Sequence, residues 1–422
     1  MLLTGCRAIT FSVEDLLTSP VIAEEQTAIF QALTSALGKG ISLEYPYSGD
    51  YRSAIVLSDI DGEEGNEALA FYSETGNETN LGVAVLDTDE SGNWSLTCTA
   101  SGVGSAIDKV IIHPLGKTVD IVIGYRSGAF DENQVRMYRY ISEKLTTIYE
   151  NSYTVLERFD VDGCGEDELI LANKAGDYPM VSIIKSPDGI NYTPYELTLD
   201  YYAASIMSHS LGKLNETESA LYLDILNEGG ALSTDIVYLH DDELVSPTND
   251  VYGLRELTRR PIGYYCIDYD DDGIIEIPTV SNFTGYQQSV SSSEYMTIWY
   301  EFDSENMSLD LKSNSYYSLS GSFVMTIPNR WLGMVTAKTD TLTGEVTFYK
   351  YDSSASHIEE MTPIISIVSA RESDSEKYTK DEDYRLIVQT DRRQYFVKTV
   401  ADTSEPLVLT NDEILDNLFC LE

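Results

Sequence analysis

Three nine-residue stretches hold the side chains most able to do chemistry in this sequence: Asp59–Glu67 (DIDGEEGNE), Asp160–Glu168 (DVDGCGEDE) and Asp268–Glu276 (DYDDDGIIE). Each has Asp at positions 1 and 3, Glu at position 9, and Gly at position 4 or 6. A hard cation such as calcium takes six to eight oxygens at roughly 2.3–2.6 Å, so a short loop serving it must turn several carboxylates toward one point. Glycine permits the tight or left-handed backbone this requires. Position 7 can add a backbone carbonyl, and the Glu at position 9 can close the site from the start of the next strand. Without a cation, such carboxylates repel one another or take up protons. The plainer reading is a hydrogen-bonded Asp-x-Asp-Gly turn with solvated acids; three copies of one spacing favour the cation. Position 5 ranks the loops. Asp272 makes the third the strongest, Glu63 gives the first a longer oxygen ligand, and Cys164 gives the second a soft atom that calcium disfavours.

The elements that must position these loops are strands. The apolar runs Ala54–Leu57, Tyr153–Leu156 and Tyr264–Ile267 each precede a loop, and another apolar run follows it. Beyond residue 40, short Val/Ile/Tyr-rich runs alternate with Gly/Asn/Asp/Ser turns, which predicts an all-β fold. A strand–turn–strand unit recurs from Val83, Val135, Val181, Ile236, Ile298, Val346 and Tyr395, in steps of 52, 46, 55, 62, 48 and 49 residues. Seven four-stranded units of that size predict one seven-bladed β-propeller over residues 41–422. Stacking in a ring lets each unit bury faces it could not bury alone. A pair of β-sandwiches is the competing architecture, but it gives no reason for equal periods. Residues 23–40 predict a short N-terminal helix, with Ile29, Phe30, Leu33 and Leu37 at helical spacing before Gly38 and Gly40.

The charge balance narrows the partners. The 422 residues are 42% apolar, enough for a sizeable core, and carry 70 acidic against 27 basic side chains for a net charge of −43. Nucleic acids and anionic membrane surfaces are excluded as partners on this ground, since affinity for them comes largely from Lys and Arg. Fifteen of the 70 acids fall in the three nonamers, which contain no Lys or Arg. The rest describe a solvated acidic exterior, which repels itself unless cations or spacing relieve it. No apolar run approaches the eighteen or so residues of a membrane-spanning helix.

The D-x-D-x-x-x-x-x-E/D loop between two strands resembles that of the FG-GAP and VCBS repeat proteins, a propeller family that includes the integrin α-subunit head. The likeness is carried by Asp59, Asp61, Glu63 and Glu67, by Asp160, Asp162 and Glu168, and by Asp268, Asp270, Asp272 and Glu276. It implies one to three calcium ions held by these side chains and by the carbonyls of Gly65, Glu166 and Ile274. The family's Phe-Gly and Gly-Ala-Pro signatures are not evident. His113-Pro114-Leu115-Gly116 and Ser210-Leu211-Gly212-Lys213 occupy the corresponding places in repeats two and four. Leu2-Leu3-Thr4-Gly5-Cys6 resembles the end of a bacterial lipoprotein signal, so residues 1–22 read as a truncated signal and linker, with Cys6 lipidated. Together these imply a bacterial VCBS-repeat surface lipoprotein, extracytoplasmic and held at the membrane only by its lipid anchor. The family shares no single biochemical activity.

Other chemistry is sparse. Cys98, Cys164, Cys266 and Cys420 form no C-x-x-C pair and read as small buried residues. His113, His209, His240 and His357 stand apart and read as surface or turn residues. Neither a G-x-S-x-G elbow nor a phosphate-binding glycine pattern occurs. Tyr201-Tyr202, Tyr264-Tyr265 and Tyr316-Tyr317 suit half-buried strands better than glycan stacking. The expectation is therefore a non-enzymatic, monomeric, calcium-binding propeller that presents loops to a protein or glycan. The alternative is a propeller enzyme acting on extracellular polysaccharide, using carboxylates that sequence spacing cannot pair.

Overall fold

The β-branched and aromatic runs fold into hairpins, and a computed structural model describes residues 20–63, 65–74, 77–115, 118–128, 132–215, 218–286, 294–401 and 404–421. The fold is all-β, with six antiparallel sheets among the described residues. In chain order the sheets begin at Ile41, Ala106, Val155, Ser205, Ile277 and Val335, and each is built around consecutive hairpins. The seventh expected unit has no sheet of its own. The run at Tyr395 is strand Gln394–Thr399, and it shares the sixth sheet with Val346–Lys350 and Thr362–Ala370. The period misleads here because residues between Thr362–Ala370 and Arg385–Gln389 form short helical turns, Glu372–Asp374 and Glu376–Thr379. That insertion stretches the sixth sheet from Val335 to Thr399, so Val346 and Tyr395 lie one step apart within a single sheet.

The chain divides into two compact units. The first holds the first three sheets apart from a few boundary residues; the second holds the last three, together with the loop Asp160–Glu166. In the first unit, helix Pro20–Leu37 ends at Gly38, whose φ of 93° a side chain would resist. Ile29 and Leu33 are fully buried against Ala68, Ala70, Ala84 and Leu86 of the first sheet. Burial of those two side chains contributes about 1.5–3 kcal/mol each, so Leu33→Asp would undock the helix. In the second unit, Leu418–Cys420 returns from the C-terminus and pairs with Phe323–Thr326, closing the fifth sheet.

Central strands differ from outer ones. Ser219–Leu226 and Leu232–His240 are buried along nearly their whole length, so both faces are covered. Outer strands such as Trp94–Ser101 mix half-buried and exposed positions, with none fully buried. Acids fall within these apolar interiors: Asp120, Asp224 and Asp235 have no exposed surface. Each must therefore find a partner or lose its charge, and each finds an arginine: Arg139, Arg260 and Arg255 respectively.

Candidate functional site

The first and third acidic loops share a backbone design. In both, the position-9 Glu accepts the position-2 N–H: Ile60 donates to Glu67 at 2.8 Å and Tyr269 to Glu276 at 3.0 Å. Position 4 is left-handed in all three loops, with φ of 80° at Gly62, 70° at Gly163 and 62° at Asp271. The sequence spacing thus corresponds to one loop conformation, and Asp271 adopts it without the freedom of glycine.

In the first loop, ligand oxygens of Asp59, Asp61 and Glu67 lie within 4.8 Å of one another. Asp59 accepts from Gly62 N–H at 2.7 Å and Asp61 from Glu63 N–H at 2.9 Å, so the backbone aims both carboxylates. Glu63 is exposed, and its carboxylate is outside the cluster. Among the described residues no lysine or arginine pairs with the three acids. Burial raises the Glu67 carboxyl above its usual range; Ile60 N–H opposes this, and the charges of Asp61 and Asp87 add to it. Three converging oxygens, one buried, with no counter-charge, fit a hard divalent cation. Asp59, Asp61 and Glu67 would hold it.

The second loop brings Asp160, Asp162 and Cys164 within the same 4.8 Å. Asp160 Oδ2 accepts from Gly165 N–H at 2.9 Å, while its buried Oδ1 has no hydrogen-bond partner. An orphaned carboxylate oxygen is what a cation would satisfy. Glu168 is buried and stands outside this cluster. Cys164 is exposed rather than buried, because position 5 sits at the loop's outer edge.

In the third loop, Asp268, Asp270, Asp272 and Glu276 converge, but a cation of the protein's own lies among them. Lys312 Nζ is 2.9 Å from Asp270, 2.8 Å from Asp272 and 3.0 Å from Glu301, and also pairs with Glu276. It arrives through a β-bulge. Trp299 pairs with Ser313 and Tyr300 with Leu311, leaving Lys312 as the extra residue, and a bulge re-aims a side chain. Burial alone would lower the lysine's pKa, but hydrogen bonds to Asp272, Glu276, Asp270 and Glu301 outweigh it and keep the ammonium charged. Glu276 has no exposed surface, and its burial pushes it up to about 7 against the pull of Lys312 and Tyr269 N–H. While the ammonium stays, this donor set offers calcium no open face. The run before this loop makes only one bridge, Ile267 with Glu276, instead of the expected strand.

In repeats two and four, His113–Leu115 and Ser210–Lys213 do end first strands, where the acidic loops sit elsewhere. His113 corrects the expectation of a surface residue: it is buried beside Tyr192, and its Nδ1 is unpartnered. Tyr264 and Tyr316 both pack against other aromatic rings, Tyr316 from strand Ser308–Ser318 and Tyr264 from outside any strand. Cys6 lies outside the described residues. Among described helices none is long and apolar enough to cross a membrane.

A cavity of about 660 Å³ in the second unit was not anticipated. Arg371, Lys377 and Arg393 line it together with Asp374, Glu376 and Tyr378. Hydroxyls of Ser320, Thr341, Thr343, Ser369 and Ser373 add polar lining. Its residues come from chain positions up to 73 apart, so no local motif could have shown it.

No family model matches this chain, and no curated protein matches it. The FG-GAP/VCBS likeness therefore rests on the loops alone. Among solved structures, a protein of Lactobacillus plantarum is similar at a TM-score of 0.31 and 9% identity, covering 76% of this chain and 85% of that one. A Bacteroides fragilis protein provisionally named a 6-phosphogluconolactonase is similar at 0.30 and 11%, covering 77% and 93%. The expectation of a non-enzymatic binding protein does not stand beside the enzyme name of the second structure. Likeness at these TM-scores carries neither architecture nor activity across to this chain.

Proposed function

We propose that this chain is an extracytoplasmic, calcium-dependent β-propeller protein whose first acidic loop is its principal cation site. The observation that carries this is the meeting of Asp59, Asp61 and Glu67 with no basic partner among the described residues. The second loop is a weaker companion, with its orphaned Asp160 oxygen answered by the same cation type. Bound calcium would supply charge neutralisation and fix the turn between two strands. The sheets serve as blades, in keeping with central strands covered on both faces. Millimolar extracellular calcium suits sites of modest affinity, and lipidation of Cys6 would keep the chain at the cell surface. The test is thermal unfolding in EDTA and in calcium. A cation bound only by the folded state stabilises it by about 2.7 kcal/mol at a hundred times its Kd. The melting temperature should rise, and Glu67→Gln should remove most of the rise. An identical melting temperature in both media would sink the reading.

A second reading, an enzyme acting on extracellular polysaccharide, is favoured by the basic and hydroxyl-lined cavity, whose volume lies in the range of ligand sites. Release of reducing ends from a panel of acidic and neutral polysaccharides tests it, and no release from any member would remove it.

A further inference from the structure

We propose that the cavity beside the sixth sheet is a subsite for an acidic sugar, a carboxylate carried on a polyhydroxylated ring. The proposal rests on the polysaccharide reading and names the substrate class. Its starting point is charge. Residues 371–398 contain seven basic and seven acidic side chains, a neutral stretch in a chain of net charge −43. Three of those bases, Arg371, Lys377 and Arg393, converge on one cavity. Acids outnumber bases 70 to 27 in this chain, so a surface base should find a carboxylate easily. Yet among the described residues no carboxylate pairs with any of the three, whereas Lys312 collects four. Of the two acids in the lining, Glu376 is already paired with Lys380, which leaves Asp374 as the one opposing charge.

The bases differ in how they are held. Arg393 is half-buried at the end of the turn between strands Arg385–Gln389 and Gln394–Thr399. Its Nη1 donates to Ser369 Oγ at 2.8 Å, and Ser369 in turn donates to the Gly321 carbonyl at 2.7 Å. The guanidinium is thereby oriented at the cavity wall, and its planar fork is the group that recognises a carboxylate. Arg371 and Lys377 are exposed and supply charge at the mouth. The lining hydroxyls match the hydroxyls of a sugar ring, and Leu342, 95% exposed, offers an apolar edge. A polyanion approaching a protein of charge −43 meets a repulsive net field, so its recognition requires a local cluster of cations.

The experiment is calorimetric titration of the full chain with trigalacturonate, cellotriose and inorganic phosphate. Trigalacturonate should bind, more weakly as salt rises, and cellotriose should bind at least about tenfold more weakly. Arg393→Met should weaken trigalacturonate binding about tenfold or more, the usual loss for one charge-assisted contact. Arg371→Met, at an exposed position, serves as the second variant in case Arg393→Met fails to fold, and should weaken binding severalfold. Equal binding of the two oligosaccharides, tighter binding of phosphate than of trigalacturonate, or unchanged affinity in both variants would overturn the proposal. Trigalacturonate binding without turnover of any polysaccharide leaves the subsite standing and removes the enzyme reading. Turnover of a neutral glycan without trigalacturonate binding does the reverse.

Discussion

Arg260→Met would uncouple the interior of the second unit from the third acidic loop. The side chains of Arg260 and Asp224 have no exposed surface, and they pair through Nη2 and Oδ1. Arg260 Nη1 also donates to the Thr258 carbonyl at 2.7 Å, so the guanidinium ties the Asp224 strand to the chain leading into the loop. Asp224 accepts Cys266 N–H at 2.9 Å, two residues before Asp268, and Thr234 Oγ1 at 3.1 Å. Removing one partner of a buried pair leaves an uncompensated charge and costs about 3–5 kcal/mol. For a unit of roughly two hundred residues, each kcal/mol moves the melting temperature by about 2–4 °C, so the variant should melt about 6–20 °C lower. Adding Asp224→Asn in the same chain neutralises the orphaned charge and keeps an acceptor for Cys266 N–H. The double variant should recover at least half the loss. Urea and thermal unfolding followed by the fluorescence of the buried Trp299 and Trp331 read both numbers. A single variant within about 1 kcal/mol of the parent, or a double variant no better than the single, would show that the pair is not what secures this segment.

Lys312→Met removes the ammonium from Asp270, Asp272, Glu276 and Glu301, and should cost about 3 kcal/mol in EDTA. Calcium should then restore much of that loss, and a melting assay that finds calcium no more effective on this variant than on the parent would refute the internal-cation account. His113 gives a pH signature. Burial, aided by the Arg158 charge, depresses its pKa below 6.5 in the folded state, against the opposite pull of Asp120 and Asp167. The unfolded chain then binds the extra proton first, so this group's contribution is present above pH 6.5 and is lost as pH falls toward the depressed folded value. Stability of the parent should slope downward with acidification in that window, and His113→Gln should flatten the slope; equal slopes would remove His113 as the cause.

What was legible in the sequence depended on how far apart the cooperating residues lie. Asp59, Asp61 and Glu67 sit within nine residues, and their convergence follows from a left-handed position 4 and one Glu-to-backbone hydrogen bond. Spacing alone could express that. The order of the loops could not be read the same way. By ligand type the third loop ranks first, yet its charge is answered by Lys312, 36 residues beyond Glu276 and aimed by a one-residue bulge. A bulge leaves the apolar alternation of its strand almost unchanged, so no periodicity announces it. Conversely, the second loop ranks last because of Cys164, yet among the three loops it has the orphaned buried oxygen. Distance also hides the fate of the seventh unit: Tyr395 repeats the local strand pattern, but sheet membership is decided by pairing with Thr362–Ala370. The basic cavity extends the point to function. Its three cations stand out because none of them forms an ion pair among the described residues, although Asp374 and Glu376 share the lining, and an absent pairing leaves no mark on local composition. In a chain this acidic, clusters of carboxylates that could hold a cation are therefore written in short spacings, while a cluster of unpaired bases depends on tertiary arrangement and is visible only when the ion pairs of the described residues are compared.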